Sequence, residues 1–196
     1  MNREDTEKKI KQVAIDLLLK EGNFGVSLNE IAKQLSLSRT IVHYYFRSKQ
    51  NLMIAVTNDI LENVVKPKNK VLFEDGSLYS KCEKYLAVSE QISKSYPYLD
   101  AYITSQHSTN MIIMNYMESI QDKIDLLIDD IQKSIDEGKL IYSNPIYFLS
   151  DLLSLSTQSY MYLHFFSVSK SYQKKDFSIS AFKNRKKRLL DILFSI

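Results

Sequence analysis

Residues 27–49 read SLNEIAKQLSLSRTIVHYYFRSK and concentrate several kinds of binding chemistry in one short stretch. Ser27, Ser38 and Thr40 supply hydroxyls, and His43, Tyr44, Tyr45 and Phe46 form an aromatic run. Lys33, Arg39, Arg47 and Lys49 are opposed only by Glu30, so four cations against one acid leave a surplus of three. That equals the net +3 of the entire chain, so any attraction for polyanions is local to this stretch. Hydroxyls, aromatic rings and cations packed together are the donors that phosphate oxygens and base edges require.

Catalytic chemistry has no comparable signal. The sequence shows no nucleophile–base–carboxylate pattern and no glycine-rich phosphate loop. The three histidines, His43, His107 and His164, stand in separate segments without ligand spacing. The reading therefore assigns no catalytic residue, no metal and no cofactor, and expects a protein that is not an enzyme.

The elements that position the stretch are helical, and no run of strand alternation interrupts them. Ile10, Val13, Ala14, Leu17 and Leu18 make one apolar stripe, which Gly22 closes as a C-terminal cap. A second helix opens at Ser27 with Glu30 three residues on, a capping-box spacing, and buries Leu28, Ile31 and Leu35. The polar break at 36–38 precedes a third helix over 38–45, whose Val42 and Phe46 face the core. Ser48 caps a fourth helix over 48–64, and Pro67 is expected to end it. Two short helices joined by a tight polar break and braced by a preceding helix make a helix-turn-helix over about 27–46. In that arrangement Arg39 and Thr40 sit in the first turn, within reach of base edges. Ser27, Ser38, His43, Tyr44 and Lys49 are placed for phosphate contacts, while Tyr45 either packs or faces outward. The same geometry also serves protein contacts, so a helical adaptor module is the competing reading.

Several independent positions resemble the DNA-binding domain of the TetR (tetracycline-repressor-like) family. They are the "IA" pair at 31–32, "LSLSR" at 35–39, the tyrosine-rich third helix, and "YF" at 45–46 followed by "SK" at 48–49 and Leu52. The resemblance spans about residues 5–64 and implies that Ser27, Arg39, Thr40, Tyr44 and Lys49 touch DNA, with Phe46 in the core. The family usually has tyrosine where His43 stands, often glycine at Thr40 and often a polar residue at Ile41. The docking mode carries over, whereas the base preference does not.

The expected architecture is all-α. Residues 1–64 form the helix-turn-helix domain, and 65–196 form a helical bundle entered through a loop at 66–77. Bundle helices are read at 78–95, 97–106, 109–137, 145–167 and 177–195. The resemblance implies that this bundle binds a small effector and dimerises. Residues 145–167 are apolar on two sides, which gives that helix two surfaces to cover. Tyr85, Tyr102, His107, Met111, Met114, Tyr160 and His164 are the candidate pocket residues, and their character suggests an apolar or aromatic effector. The expected partners are duplex operator DNA and a second copy of the chain. The charged N-terminus excludes a secretory signal, and the lone Cys82 suits a reducing compartment. The apolar stretch 145–168 carries Asp151, Thr157 and Gln158, too polar for a membrane span. The expectation is therefore a cytoplasmic repressor released from a palindromic operator by its effector, without a membrane segment, with an activator or a ligand-independent regulator as the alternatives.

Overall fold

The computed structural model describes residues 3–168 and 184–194, and every regular element among them is helical. The chain forms two compact units, 1–66 with 98–116, and 67–97 with 117–196. The contacts thus divide the chain differently from a single cut at 64/65, because 98–116 pack with the N-terminal segment.

In the first unit α1 (Arg3–Leu19) packs against α2 (Leu28–Gln34) and α4 (Lys49–Ile60), with α3 (Arg39–Phe46) seated on α2. Ile10, Ala14 and Leu18 from α1 meet Ile31, Val42, Leu52 and Val56 in a core closed to solvent. At the end of α1, Gly22 takes φ +70°, and the Asn23 N–H reaches back to the Leu17 carbonyl at 2.9 Å. A Cβ at Gly22 would also stand 3.0 Å from the Tyr98 ring. Tyr98 comes from the second segment of the unit, and its backbone N–H donates to the Leu19 carbonyl at 3.0 Å.

Pro67 does not end the fourth helix. After Ile60 the chain widens into a π segment, Leu61–Val65, and continues as α5 (Lys66–Lys70). Pro67 has no N–H, and its ring would collide with the carbonyl four residues back in a regular helix. In the π segment the Lys66 N–H bonds five residues back, to Leu61, and the wider turn accommodates the ring. The segment read as a loop from 66 is therefore helical as far as Lys70.

The first unit is completed by α7 (Leu99–Gln106) and α8 (Met111–Ser119, counted in the unit to Tyr116). The single helix read over 109–137 is two helices, because the chain breaks at Ile120 before α9 (Gln121–Asp136). A one-residue break leaves the apolar stripe in phase, so periodicity alone does not register it.

In the second unit α6 (Leu78–Ser95), α9, α10 (Pro145–Val168) and α11 (Arg185–Leu193) surround Cys82, Tyr85, Leu86, Ile131, Phe148, Leu152 and Leu190. Gly138, at φ +69°, ends α9: the Lys139 N–H bonds the Ser134 carbonyl and the Gly138 N–H bonds that of Ile135. Asn144 caps α10 through its Oδ1, which accepts from the Ile146 N–H at 2.8 Å. Within α10 the buried hydroxyls of Ser156 and Thr157 donate to the Leu153 carbonyl, which lets polar residues sit in an apolar helix. No helix among the described residues is long and apolar enough to cross a membrane. Of the helix read over 177–195, residues 177–183 and 195 lie outside the described residues.

The turn at Gly22 gives a stability prediction. Gly22→Ala forces an L side chain into the left-handed region against the Tyr98 ring, and costs about 1–2 kcal/mol. Gly25→Ala, with negative φ and only the Asn23 side chain at 3.7 Å, is the neutral control. Urea unfolding of the two variants reads the difference.

Candidate nucleic-acid interface

The α2–α3 pair is set by local hydrogen bonds. The Ser27 Oγ accepts from the Glu30 N–H at 3.3 Å, and a Glu30 carboxylate oxygen accepts from the Ser27 N–H at 2.7 Å. The reciprocal capping box is therefore complete. The other Glu30 oxygen accepts from the Asn23 side chain at 3.1 Å. These bonds, led by the Ser27 hydroxyl contact, hold the Glu30 carboxyl below its usual pKa. Ser36 turns the chain with φ +54°, and the Leu37 N–H closes on the Ala32 carbonyl at 2.9 Å. Ser38 then caps α3 by accepting from the Ile41 N–H, and Ser48 caps α4 by accepting from the Asn51 N–H.

The rotation of α3 follows from its two buried residues, Val42 and Phe46. With those turned inward, Arg39, Thr40, His43, Tyr44 and Arg47 are all exposed, and Tyr44 keeps 65% of its surface. On α3 the first four of these positions form one contiguous strip, and Arg47 follows it as the C-cap at φ +59°. Tyr45 is half-buried and meets the Tyr44 ring edge-on, with centroids 5.5 Å apart. Ile41 is 39% exposed beside the strip. Among the described residues no acid lies on α3, and no ion pair engages Arg39 or Arg47. The surface can donate hydrogen bonds and present positive charge, and it holds no carboxylate of its own.

Two features escape sequence reasoning because they join distant positions. The Lys49 ammonium donates to the Gly25 carbonyl at 3.1 Å, which ties the start of α4 to the α1–α2 loop. The Arg3 guanidinium lies 5.7 Å from the centroid of the Tyr44 ring. Neither contact has a local spacing that could announce it.

Residues 10–56 match the family described as bacterial regulatory proteins, tetR family. The matched segment contains α2, α3 and most of α4, so the likeness to this family rests on the helix-turn-helix. It is 28% identical over 131 residues to the HTH-type transcriptional regulator RutR of Escherichia coli K12, covering 67% of this chain and 57% of that protein. The chain therefore spans little more than half the length of RutR. It is 26% identical over 188 residues to IcaR of Staphylococcus aureus Newman, covering 94% of this chain and 96% of that one. That protein is named as the negative transcriptional regulator of the icaADBC biofilm operon. The fold is that of solved TetR-family structures. A regulator from Marinobacter aquaeolei VT8 superposes with TM-score 0.60 at 16% identity, covering 99% of this chain and 97% of that one. A TetR/AcrR regulator from Thermobifida fusca YX-ER1 gives 0.55 at 16% identity, with 97% of both chains covered.

The seven pocket candidates fall into two groups. Tyr102, His107, Met111 and Met114 belong to the first unit, and Tyr85, Tyr160 and His164 to the second. Tyr102 is buried and shares a 2.9 Å hydrogen bond with Thr57 of α4, and burial raises its pKa. His107 is exposed, with Nδ1 3.0 Å from the Thr104 carbonyl. Met111 is 65% exposed and Met114 half-buried. Tyr85 is closed inside the core of the second unit, with the Lys68 ammonium 5.4 Å from its ring. Tyr160 is buried with the Arg185 guanidinium 5.2 Å from its ring centroid, and burial pushes its pKa up to about 12. The side chain of His164 lies outside the described residues. A cleft of about 360 Å³ in the second unit is lined by Ser77, Tyr79, Asp130, Lys133, Lys139 and Phe194 among others, and by none of the seven.

The capping box gives a pH prediction. Glu30 has a folded pKa below the ordinary 4.5, so its stabilisation is complete above that value and is lost as pH falls through the lower folded pKa. The Ser27 amide resonance should titrate in this window below 4.5. Glu30→Gln should abolish the titration while leaving α2 folded at neutral pH.

Proposed function

We propose that the chain is a sequence-specific DNA-binding transcriptional repressor, a homodimer that reads a palindromic operator and releases it on binding a small apolar or aromatic effector. The observation that carries the reading is the exposed strip of Arg39, Thr40, His43 and Tyr44 on α3, continued by Arg47 at its C-cap, within a TetR-family domain. Ser27, Ser38 and Lys49 flank the strip at the N-termini of α2, α3 and α4. Arg39 and Thr40 read base edges; His43, Tyr44, Ser27, Ser38 and Lys49 hold phosphates. The similarity to IcaR along nearly the whole chain supports repression over activation. The reading is of a binding protein working in the cytoplasm, where its DNA is.

The second unit supports self-association. Along α10, Phe148, Leu152 and Leu163 turn into the core, while Ile146, Tyr147, Leu153, Tyr162 and Phe165 stay exposed. Ile192 of α11 is exposed as well. An apolar surface of this kind is covered by a second copy in the proposal, and two-fold symmetry then doubles the bases read. We assign residues 1–64 to DNA binding and the bundle helices to dimerisation and effector binding. Tyr85 and Tyr160, inside the second unit, are the pocket candidates placed closest to such a role.

Selection from a random duplex pool tests the whole reading. It should return a palindrome whose half-sites lie about 34–36 Å apart or a multiple of that. Recovery of no preferred sequence would overturn it in favour of a protein-binding module. Arg39→Ala should relax preference at one position per half-site, by about 1–3 kcal/mol if its base contact is bidentate. Lys49→Ala should weaken all duplexes alike. Because Lys49 also holds the Gly25 carbonyl, that variant should lose thermal stability too.

A further inference from the structure

The contact between Arg3 and Tyr44 joins the first turn of α1 to the exposed strip of α3. The two residues are 41 positions apart, and both are exposed. Tyr44 already has its neighbour Tyr45 edge-on at one side, so the Arg3 guanidinium is a second, independent constraint on the ring. A guanidinium over an aromatic ring at this distance makes a cation–π contact that uses none of its N–H donors on a hydrogen-bond acceptor. The phenol hydroxyl of Tyr44 remains free as well, because no hydrogen bond engages it among the described residues. The pair thus brings a fixed hydroxyl donor and a planar cation to one spot on the strip. That combination fits a phosphate diester, which accepts a bidentate guanidinium and a hydroxyl at once. Glu4 and Asp5 follow Arg3 in the same turn, and among the described residues neither forms an ion pair with it.

Building on the proposed DNA-binding function, we propose that Arg3 is a further DNA-contacting residue: lying over the Tyr44 ring, it forms with the tyrosine hydroxyl one composite clamp for a single backbone phosphate. Arg3 has two tasks in this clamp. It holds the Tyr44 ring in position, and it supplies the charge that a tyrosine lacks. The clamp carries no sequence information and fixes the register of α3, on which base reading by Arg39 and Thr40 depends.

The test is a double-mutant cycle on binding to the pool-selected duplex, with salt dependence. Arg3→Ala should weaken binding about three- to tenfold and make the salt slope shallower by about 0.9 per subunit. Tyr44→Leu should weaken binding similarly, and the double variant should be little worse than either single one. Tyr44→Phe retains the ring and should preserve most of the Arg3 effect, and Arg3→Lys should recover only part of the affinity. A methylphosphonate scan locates the phosphate. At one position per half-site the neutral substitution should erase the difference between the wild-type chain and Arg3→Ala. Multiplying effects, an unchanged salt slope, or no such phosphate would overturn the clamp while leaving DNA binding intact. A wild-type chain that binds no duplex would overturn the clamp together with the reading beneath it. Both residues are exposed, so equal melting temperatures for all variants exclude a folding defect.

Discussion

Two inward side chains, Val42 and Phe46, decide what this protein can present to a partner. They lie four residues apart, so they define a line along α3, and burying that line leaves the helix no freedom to rotate about its axis. The opposite strip is therefore exposed by geometry and not by any property of Arg39, Thr40, His43 or Tyr44 themselves. Removing apolar volume at either anchor would cost core stability and loosen the strip. The caps at Ser27, Ser38 and Ser48 act in the same direction. Each satisfies a backbone N–H that would otherwise fray the end of a short helix, and helices this short are marginal without tertiary packing.

The first unit also contains a polar contact in its apolar interior. Thr57 of α4 shares a hydrogen bond with Tyr102 of α7, and the Asn110 side chain reaches the same Thr57 oxygen at 3.4 Å. The Asn110 Oδ1 meanwhile accepts from the Ile112 N–H at the start of α8. Phe24, in the loop before α2, meets the Tyr102 ring edge-on at 5.7 Å. One tyrosine thus touches both the loop that leads into α2 and the helix that follows α3. Buried hydroxyls are costly when unpaired, so this arrangement favours a single seating of α7 over a range of similar ones. Tyr102, read from sequence as a pocket residue, is in the structure a member of this network.

What the sequence made legible was what short-range chemistry specifies. The capping box at Ser27 and Glu30, the cap at Ser48 and the glycine end at Gly22 all depend on residues within six positions of each other. The helix-turn-helix and its inward face could be read because those signals accumulate in one place. Pro67 misled because a proline ends a helix only when the preceding turn is regular, and the π segment at 61–65 makes it irregular. The break at Ile120 left the apolar spacing intact. The packing of 98–116 onto the N-terminal segment, the Lys49–Gly25 tether and the Arg3–Tyr44 contact are tertiary, and one sequence carries no periodic trace of them.

Ion pairing neutralises part of the surface and leaves the strip charged. In the second unit four cations are matched at close range: Lys81 with Asp130 at 2.6 Å, Lys186 with Glu83 at 2.9 Å, Lys94 with Glu90 at 2.8 Å and Lys84 with Glu74 at 3.3 Å. In the first, Lys11 pairs with Asp59 at 2.6 Å. Exposed pairs of this kind add little stability. Their larger effect is on the field, because a matched pair is a dipole whose potential falls off faster than that of a lone charge. Arg39 and Arg47 keep their full monopole, and the acids nearest to them in sequence are already engaged, Glu30 by Ser27 and Asn23 and Asp59 by Lys11. Screening confines such a field to about 8–10 Å at physiological salt, roughly the width over which a helix meets a groove. A chain of modest net charge can therefore attract a polyanion at one surface without binding it indiscriminately, and the short range of the field makes the orientation of α3, set by Val42 and Phe46, the controlling variable.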